Sequence, residues 1–540
     1  MNNINPITKL DYPDPEVIRV EDTYYMVSTT MYFMPGCEIL RSYDLVNWEH
    51  AAYVYDTLDG TAAQKLEGKE NVYGCGMWAA SLSYYKDVYY VCFVANDTHK
   101  TYIYQAKDIY GPWEKYTLED FYHDNSILFD DDGKIYIVYG NTDIYLKELK
   151  FDAAMHLTDV GTEPAKLILS DKNEVYLGYE GSHFYKINGK YYIFLIHMPK
   201  STGKRTEAVF VADKPEGPYY GKDVMDDDRG YRNSGVAQGS IVDSPSGKWY
   251  GILFQDSGAV GRIPCLMPVT WGKRTIGEGK DVDFPVLGEA GKIPEEFEIE
   301  DLNPGYKYAP LVASDDFKAD YNGTPSSSYG FKPCWQFNHE PDLSLVKRDL
   351  ENGNVTVTTD KISSNLVQAK NTLTQRTLFP GCEADVTVDA NGIKDGDYAG
   401  LSLLESNYGF IAVTKRDTSY YLVMGKRELE NKDIWGERND DEPFEEVECV
   451  LLDSPVVTLH AAVCFDNKTI RRSKQPSLIP DSDDTVSFFY KSDSEHLKKL
   501  GSDHKLEFKL DHFTGVRFGL FIYSTKEIGG SASFSDFIYV

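Results

Sequence analysis

The 540-residue sequence predicts an all-β protein of two domains, a five-bladed β-propeller followed by a β-sandwich. Three observations predict it. A turn followed by an aromatic or apolar-tyrosine pair recurs five times in the first three hundred residues. A Pro- and Gly-punctuated connector follows near Leu302. Beyond it, stretches alternate apolar and polar residues with no sustained helical period. A chain this long exceeds the size at which one core stops growing, so two domains are the expected division.

The five copies are Glu21 to Val27, Lys86 to Val91, Asp132 to Val138, Asn188 to Phe194 and Ser246 to Ile252. Each reads as a tight turn leading into a strand. The second tyrosine of the motif falls at 25, 90, 136, 192 and 250, so successive copies lie 65, 46, 56 and 58 residues apart, a length suited to a four-stranded blade. Weaker second hairpins, such as Ser42 to Glu49, Lys107 to Glu114 and Asp213 to Tyr219, complete the blades. The propeller is therefore assigned to residues 1–301. The connector Asn303-Pro304-Gly305-Tyr306-Lys307 opens a second domain, 302–540. Its stretches Cys382 to Val388, Tyr420 to Met424 and Val516 to Tyr523 alternate as sandwich strands. The connector is short and has no Ser/Thr/Pro-rich run, so the sandwich is expected to pack on the propeller.

A formal charge of −30, from 55 Lys and Arg against 85 Asp and Glu, repels polyanions. Nucleic acid and anionic membrane surfaces are thus poor partners, and a neutral ligand is favoured. Aromatic residues make up 14% of the chain, with 40 Tyr and 7 Trp. Aromatic rings stack on the C–H faces of sugars, although tyrosine also suits half-buried strands. The eight cysteines lack CxxC or zinc-type spacing and read as reduced thiols. Met1 to Leu10 carries no secretory pattern and no apolar run is long enough to cross a bilayer, so a cytoplasmic protein is expected. A homo-oligomer stays open.

Counting back eleven or twelve residues from each motif tyrosine reaches Asp14, Trp78, Asp124, Glu180 and Gln238, at the start of the preceding strand. Equivalent positions of successive blades converge on the propeller axis, so three carboxylates are expected at one mouth. Like charges so close repel unless some pKa values shift or a cation joins them. Taken alone, Pro13-Asp14-Pro15 also fits an ordinary turn, Glu180 a solvated loop acid and Asp124 a turn cap. Their shared offset argues against those readings. Glycosidic hydrolysis needs one carboxylic acid to protonate the leaving oxygen and one carboxylate to activate water or attack the anomeric carbon. Phe33, after the first blade strand, and Trp78, at the second axial position, are expected to wall a sugar pocket; each also fits a core aromatic.

The segments Tyr12-Pro13-Asp14-Pro15, His123-Asp124-Asn125-Ser126-Ile127-Leu128 and Tyr179-Glu180-Gly181-Ser182-His183 resemble those of family 43 glycoside hydrolases, the group of β-xylosidases and α-L-arabinofuranosidases. The resemblance extends over essentially the whole chain. It implies a general base at Asp14, a pKa-tuning and substrate-positioning acid at Asp124, and the proton donor at Glu180. It also implies that Arg262 reaches the substrate hydroxyls, where a guanidinium would hold Asp14 or Asp124 ionised. Glu180 must be protonated near neutral pH, which burial and the charge of Asp124 would favour. Inversion needs a water between base and sugar, so a carboxyl separation of roughly 6.5–9.5 Å is expected. Many members of the family have histidine in an H-G-S segment associated with a channel metal, whereas this chain has Gln238-Gly239-Ser240. Gln238 is thus a candidate ligand for a structural calcium, although no Asp-rich loop backs it and ordered water is the alternative. The chemistry itself requires no cofactor.

The segment Trp335-Gln336-Phe337-Asn338-His339-Glu340-Pro341-Asp342 and the ending Gly529 to Val540 resemble the concanavalin-like, jelly-roll sandwich behind many family 43 xylosidases. In that family a sandwich loop leans over the propeller mouth, which implies a one-sided pocket and exo-action. His339 fits either a structural partner of its turn or a substrate contact. The expected function is an inverting exo-glycosidase releasing L-arabinofuranose, D-xylose or both from arabinoxylan- or xylan-derived oligosaccharides. The W-M-N-D-P-N-G and R-D-P segments of retaining fructosidases are absent, and His123-Asp124-Asn125 and Glu180-Gly181 stand in the places of R-D-P and E-C. Two other readings stay open: a non-catalytic sugar-binding propeller, and a glycoside phosphorylase, for which Lys204 and Arg205 are possible but isolated phosphate ligands.

Overall fold

The computed structural model describes residues 4–231, 233–276, 279–325, 329–429, 441–465, 483–491 and 496–540. Among them there is no α-helix, and three 3-10 turns of three residues each interrupt an otherwise all-strand chain. Five antiparallel sheets fill the chain up to Leu287. Their innermost strands are Glu16–Val20, Met77–Tyr85, Ser126–Phe129, Val175–Ile187 and Ala237–Asp243. Each of these touches the next, and the fifth touches the first, so the sheets close into a five-bladed propeller.

The recurring motif has a physical explanation in this ring. Its turns adopt positive φ at Glu21, at Lys86 and Asp87, at Gly133, at Asn188 and Gly189, and at Gly247, as tight hairpins require. Adjacent strand residues then point to opposite faces. Tyr24 enters the apolar cluster shared with the fifth blade, while Tyr25 enters the one shared with the second. Tyr89 and Tyr90 divide in the same way, as do Tyr191 and Tyr192. In these blades one aromatic pair thus plugs both interfaces, and in the third blade Ile135 and Tyr136 divide likewise. The side chain of Asn5 closes the ring by exchanging two 2.7 Å hydrogen bonds with the backbone of Leu266 in the fifth blade.

Two further antiparallel sheets, of eight and seven strands, face each other as a sandwich around residues such as Leu401, Val413, Leu459, Phe488 and Phe534. The eight-stranded sheet takes its edge strand, Phe33–Met34, from the propeller, paired with Gln336–Asn338. Around that crossing, Met31, Tyr32, Phe33, Leu66, Val72 and Tyr73 pack with Leu366, Val367, Tyr408, Phe521 and Tyr523 of the sandwich. Burial of each such large apolar side chain contributes about 1.5–3 kcal/mol, far more than an exposed ion pair. The connector straps back over the first blade: Leu302 N–H donates to Tyr43 O, and Glu49 accepts from Tyr306 Oη and Ala309 N–H. The sandwich is docked, not tethered.

Candidate active site

The five axial positions meet as the count from the tyrosines requires. Asp14, Trp78, Asp124, Glu180 and Gln238 all line one cavity of about 370 Å³, together with Arg262. Backbone geometry aims them. Asp14, Asp124 and Gln238 each sit at positive φ, 52°, 48° and 57°, a conformation that costs an L-residue about 1–2 kcal/mol. Strain held at three matching positions around one cavity points to a site where aim outranks stability. The inner strands of the second, fourth and fifth blades are also bulged at Trp78, Glu180 and Gln238, which turns those side chains off the regular pleat.

Asp14 is buried, with Oδ2 accepting from Thr29 Oγ1 at 2.6 Å and both oxygens facing Arg262 Nη1 at 3.2 and 3.3 Å. Arg262 is itself buried, and its guanidinium lies 4.4 Å from the centre of the Phe513 ring and 5.4 Å from that of Phe254. Asp11 fixes the arginine backbone by accepting from Arg262 N–H at 2.7 Å and from Gly515 N–H of the sandwich at 2.8 Å.

Across the cavity, Asp124 Oδ2 accepts from Gly181 N–H at 3.1 Å. Glu180 is more open and accepts a short hydrogen bond from Asn141 Nδ2. His123 Nε2 stands 3.7 Å from a carboxylate oxygen of each acid. Burial pushes the Asp124 carboxyl up and the His123 charge pulls it down, while Glu180 and Asp14 push it up again, leaving it at about 6. Burial opposes protonation of His123, yet Asp124, the hydrogen bond and charge of Glu180, and Asp14 together raise it to about 9. The cluster therefore holds an imidazolium at neutral pH between two acids.

Phe33 requires a correction. It is 1% exposed, is absent from the cavity lining, and serves the interdomain crossing with the Arg517 guanidinium 3.5 Å from its ring centre. The strand pairing that follows Thr30 carries it away from the mouth, and Met31 and the sandwich residues Leu510 and Phe513 form that wall. His339 is likewise buried in the crossing, accepting from Val72 N–H at Nε2 and stacked on Tyr32. Arg205, isolated in sequence, lines the cavity and is tied to Asp256 by a 2.5 Å bond from Nε.

The surroundings of Gln238 do not fit a calcium site. Its N–H donates to Glu207, whose fully buried carboxyl is pushed by burial well above the usual carboxylate range, and its amide packs against Gly181. Among the described residues, the one group of three imidazole and carboxylate ligands within reach of a single ion is His123, Asp124 and Glu180, the acid cluster itself.

The count missed Thr29, Asn141 and Arg205 because it tracked only inner strands. The link from second to third strand reaches the same mouth, so a forward count of four to six residues from the motif tyrosines would have reached Thr29, Asn141 and Asp256. Phe513 carries no such signal.

Residues 4–275 match the model of glycosyl hydrolases family 43, and residues 327–540 match the beta-xylosidase C-terminal concanavalin A-like domain. A beta-xylosidase of Formosa agariphila is 27% identical over 99% of this chain and 90% of its own length. Xylosidase/arabinosidase 43B of Humicola insolens is 26% identical over 79% of this chain and 78% of its own. The solved structure of a bifunctional GH43-CE protein of Bacteroides eggerthii superimposes with a TM-score of 0.85 at 39% identity, covering all of this chain; the chain spans 64% of that protein's length. With three blade-borne acids around one cavity and a family match over residues 4–275, the chain belongs to glycosyl hydrolase family 43 and is a glycoside hydrolase.

Proposed function

We propose that this hydrolase releases single pentosyl units, L-arabinofuranose, D-xylose or both, from the ends or branches of arabinoxylan-type oligosaccharides with inversion. The observation that carries the reading is the opposition of Asp14, locked to Arg262, and Glu180, held by Asn141, across a small cavity walled on one side by Leu510 and Phe513 of the sandwich. Such a wall favours a chain end over a chain middle. The names of the relatives, beta-xylosidase and xylosidase/arabinosidase, support a pentose as the released sugar.

In this reading Asp14 takes a proton from a water held beside the anomeric carbon. The water oxygen bonds to that carbon as the glycosidic C–O bond breaks, and the leaving oxygen takes the proton of Glu180. Asn141 engages Oε2 of Glu180, so the proton to be donated belongs on Oε1. Asp124, bonded to the peptide beside Glu180, positions the acid and weights its charge balance. Arg262 binds the sugar hydroxyls while keeping the base oriented. The scattered spacing of the eight cysteines, with no CxxC pair, supports a reducing compartment such as the cytoplasm.

The test is hydrolysis of aryl α-L-arabinofuranosides and aryl β-D-xylosides, with NMR of the first-formed anomer. Wild type is expected to release the inverted pentose. Glu180→Ala should lose about 10²–10⁴-fold in kcat on substrates with poor leaving groups. Retention of configuration, or unchanged turnover in Glu180→Ala, would overturn these assignments.

A further inference from the structure

The fourth blade breaks the pattern of the other four. Their innermost strands begin within two residues of the axial position, at Glu16, Met77, Ser126 and Ala237. The fourth begins at Val175, five residues before Glu180, and its extension is paired: Val175 opposes Pro199 and Leu177 opposes Met198. It is also braced from behind. Thr142 N–H donates to Tyr179 O at 2.7 Å, Lys200 N–H donates to Glu174 O at 2.9 Å, and Gly178 packs so closely on Thr142 that a Cβ would lie 2.2 Å from its hydroxyl. The result is a rigid rim standing beyond the acid.

That rim carries Tyr176, which is 42% exposed and lines the catalytic cavity with Leu177. A single exposed aromatic is ordinary on a protein surface; what sets Tyr176 apart is its place on the paired extension at the edge of the catalytic cavity. Lys200 Nζ stands 6.0 Å from its ring centre.

We infer that Tyr176, supported by Leu177, is the face on which the leaving-group sugar ring of the oligosaccharide stacks, and so determines specificity for oligosaccharides over small glycosides. The inference rests on reading Glu180 as the proton donor. The donor must lie against the leaving oxygen, so the part of the substrate beyond that oxygen lies on the donor's side of the cavity. Tyr176 and Leu177 are the residues that the Glu180 strand itself presents there. A pyranose ring offers an apolar C–H face to the tyrosine, and its hydroxyls stay in solvent at the open rim.

The experiment compares kcat/KM of wild type, Tyr176→Ala and Tyr176→Phe on two pairs of substrates. One pair is xylotriose and β-D-xylopyranosyl fluoride; the other is an arabinosylated xylotriose and α-L-arabinofuranosyl fluoride. Fluoride is a one-atom leaving group that cannot reach the tyrosine. On the pair that wild type hydrolyses, Tyr176→Ala should lose about tenfold on the oligosaccharide and stay within twofold on the fluoride, while Tyr176→Phe keeps both. Equal losses on oligosaccharide and fluoride, or no loss on either, would overturn the assignment and leave the pentosidase reading standing. Wild type turning over neither pair would instead remove the pentosidase reading.

Discussion

At the scale of the residue, His123 has the most to say about how the site works. Its ring stands 3.7 Å from both Asp124 and Glu180 and is a cation until about pH 9. A positive charge there makes ionisation of Asp124 easier, so His123→Gln should move the Asp124 titration upward from about 6, by about one unit or more. The acid limb of the kcat/KM profile should follow it. An unmoved limb, with protein folded by circular dichroism, would separate His123 from the acid. The same contact sets a stability dependence. The folded pKa lies above the ordinary value of 6.5, so the stabilisation is complete below about 6.5 and fades as pH rises through about 9. The melting-temperature gap between wild type and His123→Gln should therefore shrink between pH 7 and 10. Little of this was legible beforehand. The sequence shows His123 beside Asp124, but its distance to Glu180, 57 residues away, exists only in the fold.

At the scale of the element, the site depends on how each inner strand starts. Gly181 shows why the residue after Glu180 is glycine. Its φ is +63°, a Cβ there would fall 2.7 Å from Gln238 Cδ, and its N–H holds Asp124. Gly181→Ala should cost more than about 1 kcal/mol of stability and lower kcat by displacing both acids. A thermal melt and turnover matching wild type would refute that account. The strands themselves were readable because their turns, alternation and tyrosine pairs are local properties. The bulges at Trp78, Glu180 and Gln238 were not, since a bulge depends on the register of the partner strand. The five-residue extension of the fourth blade was hidden for the same reason.

At the scale of the whole molecule, the catalytic cavity belongs to both domains. Phe33–Met34 completes the sandwich sheet, while Leu510 and Phe513 complete the cavity. A fragment of residues 1–301 would expose Met31, Tyr32 and Phe33, each at most 2% exposed in the intact chain, and would lose the ring that stacks on Arg262. It should aggregate or, if soluble, lose at least about tenfold in kcat/KM, measurable after size-exclusion chromatography. A monomeric fragment with full activity would show that the sandwich is dispensable.

The number of blades, the all-β sandwich and the positions of Asp14, Asp124 and Glu180 can all be read along the chain. Strand period and repeat length are written in neighbouring residues, and a repeat places equivalent residues around one axis. Packing in three dimensions instead makes Phe33 close the domain crossing while Phe513, far along the chain, takes the wall of the cavity. It also brings Arg262 to clamp Asp14 across 248 residues and leaves His123 carrying a proton between two acids. Those outcomes depend on which surfaces meet, and on the electric field they make once water is excluded, which no local pattern encodes.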